Sequence, residues 1–331
     1  YFERALAIWE KVLGPEHPHT ATGLNNLGAL LYLQGDLAGA RPYYERALAI
    51  REKVLGPEHP DTATSLNNLG ALLQDQGDLA GARPYIERAL AIQEKVLGPE
   101  HPDTAPSLNA LGALLWAQGD LAGARPYIER ALAITEKVLG PEHPDTAHGL
   151  NNLGVLLWAQ GDLAGARPYV ERALAIREKV LGPEHPDTAS SLNTLGGLLQ
   201  AQGDLAGARP YLERALAIWE KALGPEHPGI ATCLNNLGML LQAQGNLAGA
   251  RPYVERALAI KEKVLGPEHP DTATSLSTLA ILCCYEGELE TAAALLRRAL
   301  AIYEAKLGPD HPDTQNVRQG LAIIEARLQQ P

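Results

Sequence analysis

The chain has 331 residues and a formal net charge of −11, and 46% of its residues are hydrophobic although only one is Phe and one is Met. That acidity excludes a nucleic-acid groove, which needs a clustered basic face, and docking on an anionic membrane surface; no apolar run approaches the ~20 residues of a bilayer span. Cys233, Cys283 and Cys284 are too few and too unevenly placed for a disulfide framework and lack metal-ligand spacing, so they read as small apolar fillers in a reducing compartment, the cytoplasm.

Residues 1–13 match the second half of later segments, for example Tyr43 to Leu55, and are expected to form an orphan second helix of a truncated repeat. The missing partner helix, and a start at Tyr1 rather than Met, predict a native protein that extends further upstream. The loop Gly14-Pro15-Glu16-His17-Pro18 follows. It recurs at Gly56, Gly98, Gly140, Gly182, Gly224, Gly266 and, altered, Gly308, always 42 residues apart. A strict period in this range signals a solenoid of stacked supersecondary units. Residues 14–307 divide into seven 42-residue units, and 308–331 read as a closing loop with a more polar capping helix.

Each unit predicts two helices. In the unit at Asp61, Pro60 suits the first turn of a helix running to about Gln76, and Asp61 suits its positive end. Leu66, Leu69, Gly70 and Leu73 form its buried stripe, with Gly70 small where a partner helix comes close. Gly77-Asp78 is the turn, Gly in the left-handed region and Asp as cap. A second helix runs from about Leu79 to Val96 with Leu79, Ala82, Ile86, Ala89, Leu90 and Ile92 inside. Pro84 lies in its second turn and removes a bond to Ala80, which predicts a mild kink.

These residues resemble the tetratricopeptide repeat. The family's small positions match Gly70, Ala82 and Ala89, and its large apolar positions match Leu66, Leu69, Leu73, Leu79 and Ile86. The 42-residue unit with L-N-N-L and G-P-E-H-P is similar to the kinesin light chain and nephrocystin-3 branch. The resemblance implies an all-α, right-handed superhelical solenoid of helix-turn-helix repeats, with first helices lining a concave groove that takes an extended peptide or partner segment.

The loop histidines, one per unit and each followed by Pro, sit too far apart to share a metal and read as helix caps or loop closure. No Gly-Lys-Ser/Thr phosphate loop and no nucleophile with a distinctive base is present. The chain is therefore expected to be non-catalytic, with no cofactor and no metal. Asn pairs carry more interest. The first members are Asn25, Asn67, Asn109, Asn151, Asn193 and Asn235; the second are Asn26, Asn68, Asn152 and Asn236, interrupted by Ala110, Thr194 and Thr278. They lie off the buried stripe, and an amide can pair with the backbone of any peptide. The resemblance strengthens this, because superhelical members of the family use an asparagine ladder in that way. The alternative is that one Asn of each pair bonds a neighbouring helix.

Seven residues beyond the first Asn stand Tyr32, Gln74, Trp116, Trp158, Gln200, Gln242 and Cys284. Trp116 and Trp158 read either as an aromatic wall of the groove or as packing between helices. His148 lies on the same face. The varied second-helix residues Trp9, Arg51, Gln93, Thr135, Arg177, Trp219, Lys261 and Tyr303 fit a solvent face or a groove rim. Together these features point to a protein–protein interaction scaffold that holds a peptide or partner, with no nucleic acid and no membrane. Two alternatives stand beside it: the sensor end of a larger STAND-type signalling ATPase, and a self-assembling module that associates through the uncapped N-terminal helix.

Overall fold

The computed structural model describes residues 2–34 and 36–329, and they fall into two compact units, residues 1–141 and 142–331. Unit 1 holds α1 (Phe2–Val12), α2 (Pro18–Leu33), α3 (Leu37–Val54), α4 (Pro60–Asp75), α5 (Leu79–Val96), α6 (Thr104–Ala117) and α7 (Leu121–Val138). Unit 2 holds α8 (Pro144–Ala159), α9 (Leu163–Val180), α10 (Pro186–Ala201), α11 (Leu205–Leu223), α12 (Pro228–Ala243), α13 (Leu247–Val264), α14 (Pro270–Glu286), α15 (Leu289–Lys306) and α16 (Pro312–Leu328). The described residues contain no strand. The fold is an all-α solenoid of helix pairs. None of these helices is long and apolar enough to cross a membrane.

Two turns shape every pair. At the tight one Gly77 takes φ +77°, a conformation that favours glycine, and Asp78 caps α5 by accepting the Gly81 N–H at 2.9 Å. At the longer one Gly56 takes φ +96°. There His59 is the N-cap of α4: its ring Nδ1 accepts the Asp61 N–H at 3.1 Å, and the Thr62 hydroxyl donates to the Gly56 carbonyl at 2.9 Å. The same ring-to-backbone bond recurs at His17, His101, His143, His185, His227, His269 and His311. Seven of these histidines are N-caps of first helices, and at His101 the same bond closes the loop ahead of α6, whose N-cap is Asp103.

The core of α4 follows the predicted stripe and is wider than it, taking in Thr62, Ala63 and Ser65 as well. Leu66, Leu69 and Leu73 are buried, and so is Leu72, which widens the stripe of α4. Leu72 faces outward from the partner stripe by sequence position but is covered all the same. Gly70 marks the closest approach within the pair, since a Cβ placed there would stand 2.5 Å from Ile86 Cγ1. Helix α5 runs as one element across Pro84. Pro84 and Ala80, the residue whose carbonyl loses its i+4 donor, are both exposed.

Within each unit, every first helix packs on its own second helix, and that second helix packs on the next first helix. First helices also touch one another: α2 with α4 and α4 with α6 in unit 1, and α8, α10, α12 and α14 in series in unit 2. The first-helix layer is therefore the tighter layer of each stack. On the second helices, the exposed pair Arg88–Glu52 at 2.6 Å links neighbouring repeats, and Lys53–Glu16 at 2.6 Å ties a second helix to the loop that opens its own repeat. Such surface pairs contribute little individually.

Candidate functional site

The Asn pairs lie on the first-helix layer, and several of their amides are engaged between helices. Asn67 Nδ2 donates to Ser107 Oγ, and Asn235 Nδ2 donates to Ser275 Oγ at 2.8 Å. Asn68 Nδ2 donates to Asn25 Oδ1 at 2.8 Å, and Asn236 Nδ2 repeats the bond to Asn193 Oδ1 at 3.0 Å. Asn151 and Asn235 are buried, Asn67, Asn68, Asn109, Asn152, Asn193 and Asn236 half-buried, and Asn26 exposed. These bonds stitch successive first helices together. They correspond to the structural alternative weighed for the pairs, and they commit donors that a ligand would otherwise use.

The aromatic positions differ by unit. In unit 1, Trp116 on α6 is 43% exposed. In unit 2, Trp158 on α8 is half-buried and lies against α10, where a Cβ at Gly197 would be 2.6 Å from Trp158 Cη2. Tyr32 on α2 donates its hydroxyl to the Asp75 carboxylate of α4, and burial together with that carboxylate pushes its phenol far above the ordinary range. His148 on α8 has an exposed edge, yet the protein crowded around it, aided by the Arg177 cation, holds its imidazole below the ordinary range. Its Nε2 lies 3.2 Å from Asn152 Nδ2, a contact that suits a neutral ring accepting from the amide.

The varied second-helix position is neither a solvent face nor a groove rim. Arg51, Gln93, Thr135, Arg177, Trp219, Lys261 and Tyr303 are all buried. Most reach the first helix of the following repeat. Arg51 Nη1 donates to Ser65 Oγ at 2.8 Å and to the Asp61 carbonyl at 2.9 Å; Arg177 repeats both bonds, to Ser191 Oγ at 2.8 Å and the Asp187 carbonyl at 2.9 Å. Gln93 accepts from the Ser107 hydroxyl, and Lys261 Nζ stands 3.7 Å from Asp271 Oδ2. Trp219 and Tyr303 turn back instead. The Trp219 indole donates to the Pro186 carbonyl at 3.1 Å, and the Tyr303 hydroxyl meets Thr274 Oγ1 at 2.8 Å. Burial lowers the pKa of Arg51 and Arg177, while Asp61 and Asp187 oppose the shift. The seams between repeats therefore hold the most varied chemistry in the chain.

One cluster has the makings of a metal centre. Cys283, Glu286 and Glu288 bring their ligand atoms within 4.8 Å of one another. The Arg251 guanidinium already occupies that cluster, bonded to Glu286 and lying 2.9 Å from Glu288 Oε2. It is an ion-pair knot. Burial pushes the Cys283 thiol up to about 11 and the Cys233 thiol up to about 12. Both stay protonated, as packing groups do.

Paired helices with this turn, cap and close-approach pattern define a helical repeat scaffold. The chain belongs to the tetratricopeptide repeat family, whose profile matches residues 1–53, 20–83, 61–135, 108–179, 149–217, 187–263 and 234–305. It is similar to the Podosopora anserina putative kinesin light chain with nearly identical TPR-like repeats, at 31% identity over 62% of this chain and 97% of that one, with a TM-score of 0.49. It is also similar to BtubC (BKLC) from P. vanneervenii, at 25% identity over 71% of this chain and 92% of that one, with a TM-score of 0.52. The Rap conjugation gene regulator of plasmid pLS20, solved with the Phr* peptide, shares the fold at 17% identity over 91% of this chain and 76% of that one, with a TM-score of 0.69. No curated protein matches the chain.

Proposed function

We propose that this chain is a non-catalytic interaction scaffold that holds a peptide or partner segment on its first-helix layer. The observation that carries this reading is Trp116. A large aromatic side chain, 43% exposed, stands on the first-helix layer of unit 1. Trp combines a large apolar area with one donor and is favoured at binding hot spots. In unit 1 the half-buried Asn109 adds a contact group; unit 2, taken by itself, offers the half-buried Trp158 and Asn152 and the exposed His148 on its own first-helix layer. The peptide held by the Rap regulator of similar fold is in keeping with this role.

The test is a displayed random-peptide library panned on the full chain, with selected peptides measured by fluorescence anisotropy. Trp116→Ala combined with Trp158→Ala is expected to weaken the selected binders about tenfold or more. Unchanged affinities, with an unchanged helical melt, would overturn the assignment of this face.

A further inference from the structure

The loops that open the first helices of unit 2 share a set of side-chain contacts, and one loop lacks most of the set. Before α10, His185 Nδ1 accepts the Asp187 N–H at 3.1 Å, and Asp187 Oδ2 stands 3.7 Å from that same nitrogen. The Thr188 hydroxyl donates to the Gly182 carbonyl at 2.8 Å. His311, Asp313 and Thr314 repeat all three contacts before α16. Before α12 the chain reads Gly224-Pro225-Glu226-His227-Pro228-Gly229-Ile230, so Gly stands for the Asp and Ile for the Thr. His227 Nδ1 still accepts the Gly229 N–H, at 3.1 Å. The side-chain closure of this loop onto the first turn of α12 thus rests on one ring.

The charges around that ring are already committed. Helix α12 carries no Asp, Glu, Lys or Arg, whereas α8, α10, α14 and α16 each have an Asp in the first turn. Its titratable side chain, Cys233, donates its thiol to the Leu212 carbonyl at 3.2 Å. From α11, Glu220 pairs with Arg256 of α13 at 2.7 Å, and Lys221 pairs with Glu184 at 3.1 Å. From the loop, Glu226 pairs with Lys263 of α13 at 2.5 Å. On the first helices that touch α12, Asp187 stands beside His185 and Asp271 beside Lys261. Burial is what holds the His227 imidazole below its ordinary range. Arg256 also donates to the Pro225 carbonyl at 3.4 Å, which ties the loop to α13 and not to α12.

An imidazole nitrogen accepts a hydrogen bond only while it is bare. A neutral ring that accepts at Nδ1 carries its proton on Nε2, and a second proton enters at Nδ1 and turns the acceptor into a donor. Before α8, α10 and α16 that new donor has an Asp carboxylate 3.7 Å away to turn to. At His227 it meets the Gly229 N–H and the positive end of α12, with no carboxylate in the first turn. We infer that the His227 loop is a proton-released latch: one proton on the ring frees the first turn of α12 from the loop, while the fully buried Ile230 keeps the rest of the helix docked. The loops before α8, α10 and α16 exchange one bond for another and stay closed. The sign follows from the lowered imidazole. An unfolded chain titrates near about 6.5. The latch's contribution to stability is therefore fully present above that value and is lost as pH falls from there through the lower folded pKa. The device does not depend on what the first-helix layer binds.

The test follows amide hydrogen exchange of the full chain by NMR from pH 7.5 to 4.5, each rate divided by the intrinsic rate at the same pH. The Ile230 N–H bonds the His227 carbonyl at 3.0 Å, and the Ala189 N–H bonds the His185 carbonyl at 3.1 Å, so the two report on matched first turns. Ile230 is expected to lose protection about fivefold, the scale of one lost N-cap, with the midpoint of the His227 ring resonance. Ala189 should keep its protection. His227→Asn supplies a capping oxygen that does not titrate and should abolish the acid loss at Ile230. Gly229→Asp gives the protonated ring a carboxylate, and should raise the His227 midpoint and hold the turn closed in acid. An unchanged thermal melt at pH 7.5 verifies that each variant folds, and the comparison of Ile230 with Ala189 in the parent needs no variant. Three results would overturn the latch: Ile230 protection that does not change in acid, an acid loss that persists in His227→Asn, or an equal loss at Ala189.

Discussion

Arg51 in unit 1 and Trp219 in unit 2 occupy the same place in the repeat and fill it in opposite ways. Arg51 sends a buried guanidinium forward to Ser65 and the Asp61 carbonyl. Trp219 fills its place with an indole whose N–H turns back to the Pro186 carbonyl. Both are buried. The difference teaches that the seam between repeats requires two things, a filled volume and a satisfied polar group, and leaves the chemistry free. A guanidinium placed there must find hydrogen bonds, because an unpaired buried charge is costly. An indole needs one acceptor and contributes area.

The largest effect expected is at the aromatic seam. Trp219→Ala removes a buried ring from unit 2 and should lower stability by about 3–5 kcal/mol in urea unfolding followed by circular dichroism. A loss below 1 kcal/mol would mean that the seam collapses around the gap and that filled volume is not its requirement.

A middle-sized effect tests whether the two solutions can be exchanged. Trp9 has Gly23 opposite it, where a Cβ would be only 2.8 Å from the ring. Arg51→Trp against an unchanged Ser65 should therefore be overpacked and cost about 1–3 kcal/mol. Adding Ser65→Gly should return part of that, with a coupling of about 0.5–3 kcal/mol in a double-mutant cycle. Strict additivity would show that residues 51 and 65 do not constrain each other.

That pairing also marks how much was legible in the sequence. The period, the Gly77-Asp78 turn, the histidine caps and the stripe through Leu66, Leu69 and Leu73 are readable because every copy states the same local rule. The seam was not, because Arg, Gln, Lys, Trp and Tyr at one position average to the profile of a solvent face. The missing signal was a correlation inside the chain. Ser stands fourteen residues after Arg51, Gln93, Arg177 and Lys261, whereas Gly23, Cys233 and Val317 follow Trp9, Trp219 and Tyr303. Polar partners face polar residues, and small or apolar partners face aromatic ones. The exposed apolar residues of unit 2 were hidden differently. Met239 and Ile281 were visible as departures from Ala, but whether they face solvent depends on the packing of neighbouring helices. Sequence position set the Asn pairs off the apolar stripe, yet Asn151 and Asn235 are buried. It left open that amides on adjacent first helices would bond each other, as Asn25 and Asn68 do.

The smallest effect concerns the polar seam of unit 2 and its outer neighbour. His148 is held below the ordinary imidazole range first by the protein crowded around it and then by the buried Arg177 cation. The folded state therefore favours the neutral ring. An unfolded chain, titrating near about 6.5, binds the proton more readily as pH falls. The contribution of His148 to stability is fully present above that value and is lost as pH falls from there through the lower folded pKa. Replacing Arg177 by Gln removes the second cause and leaves the first. The His148 resonance, followed by NMR across pH 4–8, should titrate higher in Arg177→Gln than in the parent and still below a free imidazole. The pH dependence of unfolding should soften over the same window. An unmoved titration would mean that the Arg177 charge does not reach the ring, and that the polar seam, unlike the aromatic one, acts only on the two helices it joins.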